Sequence, residues 1–524
     1  MITENQAGVI EFLGAPSTHG VATVDRVETH SSIVFLAGER AYKLKRAVRF
    51  DYLDFSTPDL RHTLCDAEVR LNRRTAPGLY RGVVAVTRQA DGSCALGGDG
   101  RAVDWVVVMN RFAQEALFDR LARAGTLGIE LMPQLASAIA GFHASAERRP
   151  DHGGIAGMRW VIDGNAAGFT EFGGTWLHRP SAQRTTRDAR RELARRADLL
   201  ERRRTAGFVR QCHGDLHLRN IVLLDGTATL FDGIEFNDEI SCTDVLYDLA
   251  FLLMDLWRRT LPRHANVVWN RYMLEAADFD GIPLLPLFLS CRAAVRAKTT
   301  ATALAVGASA GRHPDMQRGA GAYLRMAEKL LHPPAPCLVA VGGLSGAGKS
   351  TLAASIAPSL GAVPGALLLR SDEIRKRLCG VQFSQRLGPE GYTARVSDRV
   401  YAHMAEHAAV ALRAGHSVIA DAVHSRQSDR RAIEQVATGA GAAFIGLWLD
   451  APEPVRTARA SARRADVSDA DAAIVRGQRA EDTPDEGWRR LDASASSCAV
   501  LSSAIAHVRE RDAGTLNDAA REVR

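Results

Sequence analysis

Residues 338–356 read LVAVGGLSGAGKSTLAASI, and this stretch leaves the chain few alternatives. An apolar run suited to a buried strand meets a glycine-studded loop, and a helical pattern starts at Lys349. The loop GLSGAGKS, Gly343 to Ser350, satisfies G-x-x-x-x-G-K-[ST] in full, between a strand and a helix as that pattern requires. Its glycines (Gly343, Gly346 and Gly348) let the backbone N–H groups from Ser345 through Ala347 to Thr351 wrap phosphate oxygens at the positive end of a helix. Lys349 is placed to reach β- and γ-phosphates and Ser350 to ligate Mg²⁺. Nucleotide binding follows as the expectation.

The residues around this loop alternate apolar strands (LVAVGG, ALLLRSD, HSVIADAV, AFIGLWLDA) with helical segments, and helices follow the last. That order implies a parallel sheet covered on both faces. Asp372 closes the second strand, where open α/β sheets bind ligands, and Arg375 follows one helical turn later. The pair resembles the S-D-x-x-R of small P-loop kinases, a group that includes polynucleotide kinases, zeta-toxin kinases and gluconate-type kinases. The resemblance implies that Asp372 activates an acceptor hydroxyl and that Arg375 touches the acceptor. Asp421 matches a metal-binding aspartate or the D-A-x-N loop of that group, with His424 standing where the asparagine belongs. Helix capping is the alternative role for Asp372 and Asp421. Arg459 and Arg463, four apart, resemble an arginine-rich lid that neutralises the transferring phosphate, with a solvated helix as the alternative.

The clearest boundary is LLHPPAPC, Leu330 to Cys337, whose prolines cannot continue a helix. It divides the chain into expected domains at 1–332 and 336–524, as 524 residues exceed one ordinary core. Before it lies a second phosphotransfer signature. HGDLHLRN supplies Asp215 and, five residues later, Asn220; Asp232 ends the apolar strand TATLF twelve residues further on. A kinase needs a carboxylate to take the proton of the attacking hydroxyl, an amide oxygen on the metal, and a carboxylate bridging metal to phosphates. Asp215, Asn220 and Asp232 suit those three tasks, and a DG turn between IVLL and TATLF folds the last two together.

The segment 211–255 resembles the aminoglycoside phosphotransferase family, which has a protein-kinase-like fold. The resemblance carries His213, Asp215 and Asn220, then Asp232 at the metal aspartate, and Asp248 in YDLAFLL as a structural tie. The implied fold is an α+β, two-lobed kinase-like domain followed by the α/β P-loop domain, an order that resembles a bacterial two-domain family. In AYKLKRAV, Lys43 and Lys45 share one strand face, and only one is expected to reach the α- and β-phosphates. Lys43 is preferred, with Glu68 of the next helix as its partner. No G-x-G-x-x-G covers the phosphates; the turn FLAGERA holds one glycine. MNRF, Met109 to Phe112, occupies the position of an adenine-contacting hinge. Arg292 and Arg296, four apart on a helical stretch, are candidates for an anionic acceptor or a plain solvent-facing surface.

Net charge is +6 and aromatics are 6%, with no basic stripe interleaved with aromatics, so nucleic acid is a disfavoured partner. The basic run Arg187 to Arg204 reads as an amphipathic helix with acid–base pairs Glu192–Arg196 and Asp198–Arg202. Eight scattered cysteines without C-x-x-C, no basic apolar leader and no apolar run of membrane length lead us to expect a cytoplasmic protein. The expected activity is Mg²⁺- and ATP-dependent phosphorylation of a hydroxyl on a small metabolite (a sugar, an amino sugar or a related compound). The alternatives are one working kinase beside a nucleotide sensor, a non-catalytic switch, and a P-loop half acting on nucleic-acid 5′-hydroxyl ends.

Overall fold

The computed structural model describes residues 3–305, 313–383, 385–462, 469, 472–478 and 487–511. By its internal contacts the chain divides into two compact units, residues 1–161 with 197–255 and residues 162–196 with 256–524. The proline-rich segment lies within the second.

The first unit is built on a six-stranded antiparallel sheet. Strands Ser32–Ala37 and Arg40–Lys45 form the hairpin expected from the sequence, paired Ile33 to Leu44 and Val34 to Lys43. The long strand Arg101–Asn110 lies on the other side of Arg40–Lys45. Helix Pro58–Asn72 packs on this sheet. Thr57 caps it by accepting from Leu60 N at 3.3 Å, and Pro58 fits its first turn because no N–H is needed there. Cys65, Glu68, Val69 and Asn72 form its buried stripe at helical spacing, so Cys65 and Val69 join Leu36, Ala41 and Val107 in one core. The same stripe carries the Glu68 carboxylate to the sheet. Further along, the expected hairpin forms from Ile221–Leu224 and Thr227–Leu230, with Ile221 opposite Leu230.

The second unit holds a five-stranded, all-parallel sheet. Cys337–Gly342 runs through its centre between Val418–Asp421 and Ala443–Asp450, with Leu367–Arg370 at one edge. The other edge is Trp488–Asp492, where the sequence had led us to expect only helices. That strand reads WRRLD, with two buried and three exposed residues, a pattern too short and polar to announce a strand. Val339, Val341, Leu352, Ile419 and Leu447 form the core. Helix Pro262–Ala276 of the same unit covers the edge strand Leu367–Arg370. Asn270 accepts from Leu368 N at 2.6 Å and donates to Ala366 O at 3.2 Å, while Asn266 donates to Ala366 O at 3.1 Å. An exposed row of strand N–H and C=O groups is thereby satisfied by side-chain amides.

The basic run divides at Arg196 into helices Arg179–Arg195 and Ala197–Thr205. Glu192 bonds both Arg195 and Arg196 at 2.8 Å, so the expected Glu192–Arg196 pair forms; Asp198–Arg202 is not among the described ion pairs. Among the described residues, no helix is long and apolar enough to cross a membrane.

Candidate active sites

In the first unit, the buried Asp248 organises the loop that carries Asp215. Its carboxylate accepts from His213 N at 3.2 Å and Gly214 N at 2.8 Å, and lies 3.1 Å from His143 Nε2. Gly214 has φ 81° with Ile234 and Ser241 against it, so a side chain would strain this turn. The His213 ring contacts Phe231 O at 2.9 Å, and Asp255 accepts from Leu218 N at 3.1 Å. Within that frame the Asn220 amide donates to an Asp215 oxygen at 2.9 Å, and His217 Nε2 stands 3.4 Å from the same atom. The Asp215 side chain is about a third exposed, open to an incoming hydroxyl.

Asp232 sits at the end of the hairpin with φ 59°, a conformation costly for a side-chain residue, and its N–H donates to the Tyr80 hydroxyl at 3.1 Å. The next residue is clamped by Asn72, which accepts from Gly233 N at 2.7 Å. Asp232 Oδ1 lies 2.5 Å from Lys43 Nζ, and Lys43 also donates to Glu68 Oε1 at 2.8 Å. Thus Lys43, Glu68 and Asp232 meet in one cluster. Lys45 is there too, bonded to Glu68 Oε2 at 2.5 Å and to Glu235. The two lysines differ in depth: Lys43 is 13% exposed and Lys45 is 1% exposed. Burial alone would push the Glu68 carboxyl up, but the two ammonium groups overcome it and hold it down at about 2. Phe112, at the expected hinge, packs edge-on against Phe231 with ring centroids 5.3 Å apart. Asp215, Asn220 and Asp232 offer the hard oxygen donors that Mg²⁺ takes, beside an ammonium suited to phosphate. This set fits Mg²⁺-ATP.

In the second unit, Gly343, Gly346 and Gly348 have φ of 133°, 85° and 99°, and helix Lys349–Ile356 begins at once. A Cβ on Gly343 would meet Leu449 O at 2.5 Å and one on Gly346 would meet Arg456 O at 2.5 Å, so the loop is wound against neighbouring backbone. Ser345 N donates to Gln478 Oε1 at 2.7 Å, Lys349 Nζ to Leu344 O at 3.3 Å and Arg459 Nη1 to Ala347 O at 3.3 Å. The loop opens into a cavity of about 980 Å³ lined by Lys349, Ser350, Thr351, Asp372, Asp421 and Arg459, among others. That is the size of a ligand cleft, with room for a nucleotide and an acceptor. The donor set, with a wound glycine loop, one lysine and a serine beside a carboxylate, fits a Mg²⁺-bound polyphosphate.

Asp421 is buried at the end of its strand. Burial pushes its carboxyl up, opposed by Arg370, whose Nε lies 3.5 Å away, by Lys349 and by the Ser350 hydroxyl. Asp372 lies in the first turn of helix Ser371–Leu378, whose N-cap is Arg370 and which has no side-chain cap bond, so it faces the cavity without capping. Arg375 lines the cavity from the same helix. His424 is fully buried with φ 50°, against Tyr401 and Trp488, and does not line the cavity. Arg463 lies outside the described residues. Arg292 is buried in helix Leu285–Ala305 and Arg296 lies over the Tyr323 ring, so this cavity gathers neither.

Sequence reasoning passed over Glu235 and Tyr80 in the first site, and Gln478, Arg456 and Asp469 in the second. The one available signal for Glu235 was an acidic residue three positions beyond Asp232.

Residues 129–282 match the model of the phosphotransferase enzyme family, and residues 338–484 match an AAA domain model, AAA_33. Along the chain, the match to the phosphotransferase model thus precedes the match to the AAA-type P-loop model. The chain is a kinase-type enzyme. Uncharacterized proteins of Mycobacterium tuberculosis and Mycobacterium bovis are 29% identical to it over 481 residues, covering 90% of this chain and 92% of theirs. Among solved structures, a choline/ethanolamine kinase family protein from Mesorhizobium loti aligns at 13% identity and TM-score 0.39, over 62% of this chain and 93% of its own. A gluconokinase from Sinorhizobium meliloti aligns at 19% identity and TM-score 0.26, over 34% of this chain and 94% of its own.

Proposed function

We propose that the chain is a cytoplasmic, Mg²⁺- and ATP-dependent phosphotransferase that moves a γ-phosphate to a hydroxyl of a small metabolite, and that its P-loop domain is a second ATP-dependent kinase centre. The observation that carries the reading is the convergence in the first unit. Asp215 is fixed at 2.9 Å by Asn220 of the same loop, and Asp232 meets Lys43, from a segment far away in sequence, at 2.5 Å. Bound Mg²⁺-ATP supplies the transferable phosphoryl group. Asp215 orients the acceptor hydroxyl and takes its proton as the new O–P bond forms and the bond to the β–γ bridging oxygen breaks. Lys43, steadied by Glu68, holds phosphate oxygens; Asn220 and Asp232 hold the metal. In the second unit Lys349 and Ser350 take the corresponding phosphate and metal tasks, with Asp421 behind Ser350 and Asp372 facing the acceptor. Eight free cysteines fit a reducing compartment.

The test is acceptor-dependent ADP release with Mg²⁺-ATP against sugars, amino sugars, nucleosides and 5′-hydroxyl oligonucleotides, in wild type, Asp215→Ala and Lys349→Ala. Two acceptor classes, each lost in only one variant, support two kinase centres. Loss in Asp215→Ala alone reduces the P-loop half to a sensor, and oligonucleotide-specific turnover lost in Lys349→Ala moves that half to nucleic-acid ends. ATP binding without turnover on any acceptor sinks the catalytic reading.

A further inference from the structure

Four consecutive backbone N–H groups around Asp232 are taken up by three separate parts of the first unit. Phe231 N donates to Asn220 O at 3.0 Å and Ile234 N to His213 O at 2.8 Å, both in the loop that carries Asp215. Between them, Asp232 N donates to the Tyr80 hydroxyl at 3.1 Å and Gly233 N to Asn72 Oδ1 at 2.7 Å. The two inner bonds thus end on side chains, and both of those residues are 2% exposed. Asp232 has φ 59°, and a left-handed residue other than glycine persists only where its surroundings over-determine it. The bond from Asp232 itself is the one that Tyr80 accepts.

Tyr80 opens strand Tyr80–Arg88, and its pairing with the neighbouring strand slips at once. Tyr80 stands opposite Met109 and Gly82 opposite Val108, with Arg81 as the extra residue. A bulge of this kind re-aims a side chain. Arg73, at the end of helix Pro58–Asn72, donates to Tyr80 O at 3.1 Å and ties this irregular strand end to the helix. The Tyr80 ring joins an apolar cluster with Leu36, Val69, Leu79 and Val107. Packing alone would be met there by phenylalanine. The hydroxyl is an added buried polar group, and such a group costs stability unless it is bonded. Its bond goes to the residue of this loop that our reading puts on the metal, whose side chain is 42% exposed.

We propose that Tyr80 is a positioning residue of the first centre, its hydroxyl taking the Asp232 N–H and so holding the metal-binding carboxylate in its left-handed conformation before Mg²⁺ arrives. This deepens the proposed kinase reading of the first unit and rests on it. Tyr80 acts through Asp232 and not on the substrate. A loop ordered in advance removes the ordering cost that metal binding would otherwise carry.

The experiment uses the full chain with Lys349→Ala, which disarms the phosphate loop of the second unit. A non-hydrolysable ATP analogue is titrated by calorimetry at a series of Mg²⁺ concentrations. In Tyr80→Phe the Mg²⁺ concentration for half-maximal binding is expected to rise about fivefold, the worth of one hydrogen bond, while affinity without Mg²⁺ stays unchanged. Val107→Ala loosens the same apolar cluster but keeps the hydroxyl, and is expected to leave the Mg²⁺ requirement where it was. Hydrogen exchange on the unsubstituted chain reads the same bond without any variant. The Asp232 amide is expected to exchange as slowly as those of Gly233 and Ile234, although its side chain is open to solvent. A Mg²⁺ requirement indifferent to Tyr80→Phe, an equal rise in Val107→Ala, or a fast-exchanging Asp232 amide overturns the proposal. Asp232→Ala in the same background separates that failure from a failure of the kinase reading. If Mg²⁺-dependent binding survives Asp232→Ala, the first unit does not hold Mg²⁺ through Asp232, and the reading and the proposal fall together.

Discussion

Lys45 Nζ stands 2.5 Å from Glu68 Oε2, so the carboxylate that Lys43 holds by one oxygen is held through its other oxygen by a second, deeper lysine. Glu68 is fully buried between them. Removing it takes away the carboxylate shared by the two ammonium groups and leaves Lys43 with Asp232 and Lys45 with Glu235 as their remaining partners. Glu68→Ala is therefore expected to destabilise the first unit by about 3–5 kcal/mol, as breaking buried pairs does. The lysines themselves should separate. Lys45→Met, in the core, should cost stability and leave residual nucleotide binding. Lys43→Met, nearer the cleft, should cost little stability and most of the turnover. Chemical denaturation and ATP-analogue titration of the three variants check this, and equal stability losses for the two lysine variants would sink the distinction.

What the sequence made legible here were motifs whose partners are close along the chain. Asp215 and Asn220 are five residues apart, and Asp232 lies one hairpin beyond. The glycine loop carried its own context of strand and helix. Lys43 with Glu68 was legible because a strand and the next helix commonly pack together. The contact of Lys45 with Glu235 spans 190 residues, and nothing local marks it. Trp488–Asp492 joins the parallel sheet because Gly446 leaves room beside its neighbour for the Trp488 ring, a tertiary fact invisible in WRRLD. The division at Arg196 was equally hidden, since helical periodicity continues through it.

The phosphate-binding loop should show which of its glycines is fixed by sterics and which by backbone angle alone. A Cβ on Gly346 would press on Arg456 O at 2.5 Å and Arg456 Cα at 2.9 Å, both parts of the main chain, whereas one on Gly348 meets nothing nearer than 3.8 Å. Gly346→Ala is expected to unwind the loop and abolish nucleotide binding in the second unit. Gly348→Ala should cost only the strain of an unfavourable φ, about 1–3 kcal/mol, and weaken binding without abolishing it. Calorimetric titration in an Asp232→Ala background, which disarms the first site, reads this directly. Wild-type affinity in Gly346→Ala would refute it.

Two histidines of the second unit set an acid limit on its stability. Burial pushes the His416 imidazole down to about 4, against a weak opposing bond to Gly365, and burial pushes His424 down to about 4 as well, helped by Lys349 and Arg430. In the unfolded chain each returns to 6.5. Between those values the unfolded state takes up protons that the folded state refuses. Stability is therefore fully present above 6.5 and falls as pH drops toward 4, by about 1.4 kcal/mol per pH unit for each histidine. Thermal unfolding across that window should show the decline, and the double variant His416→Asn, His424→Asn should flatten it. An unchanged slope in the double variant would assign the acid sensitivity elsewhere.

The last prediction concerns the edge of the parallel sheet. Strand Leu367–Arg370 gets its outer hydrogen bonds from Asn266 and Asn270 of helix Pro262–Ala276, which lies before the proline-rich segment in sequence. The fully buried Trp269 of that helix packs against His416, with ring centroids 5.6 Å apart, and Phe279 stacks on His407 at 4.1 Å. A P-loop fragment begun at residue 336 would expose this apolar surface and leave the Leu368 N–H and the Ala366 carbonyl without these partners. Asn270→Ala in the full chain should cost about 1 kcal/mol, the penalty for leaving the half-buried Leu368 N–H without its partner, since Asn266 still serves the Ala366 carbonyl. The fragment from 336 should unfold at lower temperature than one begun at 256 and should aggregate through its open edge. Parallel melting curves of the two fragments decide the matter. If the shorter fragment melts with the longer, the helix is a passenger on the sheet and its two asparagines contribute nothing measurable to the P-loop core.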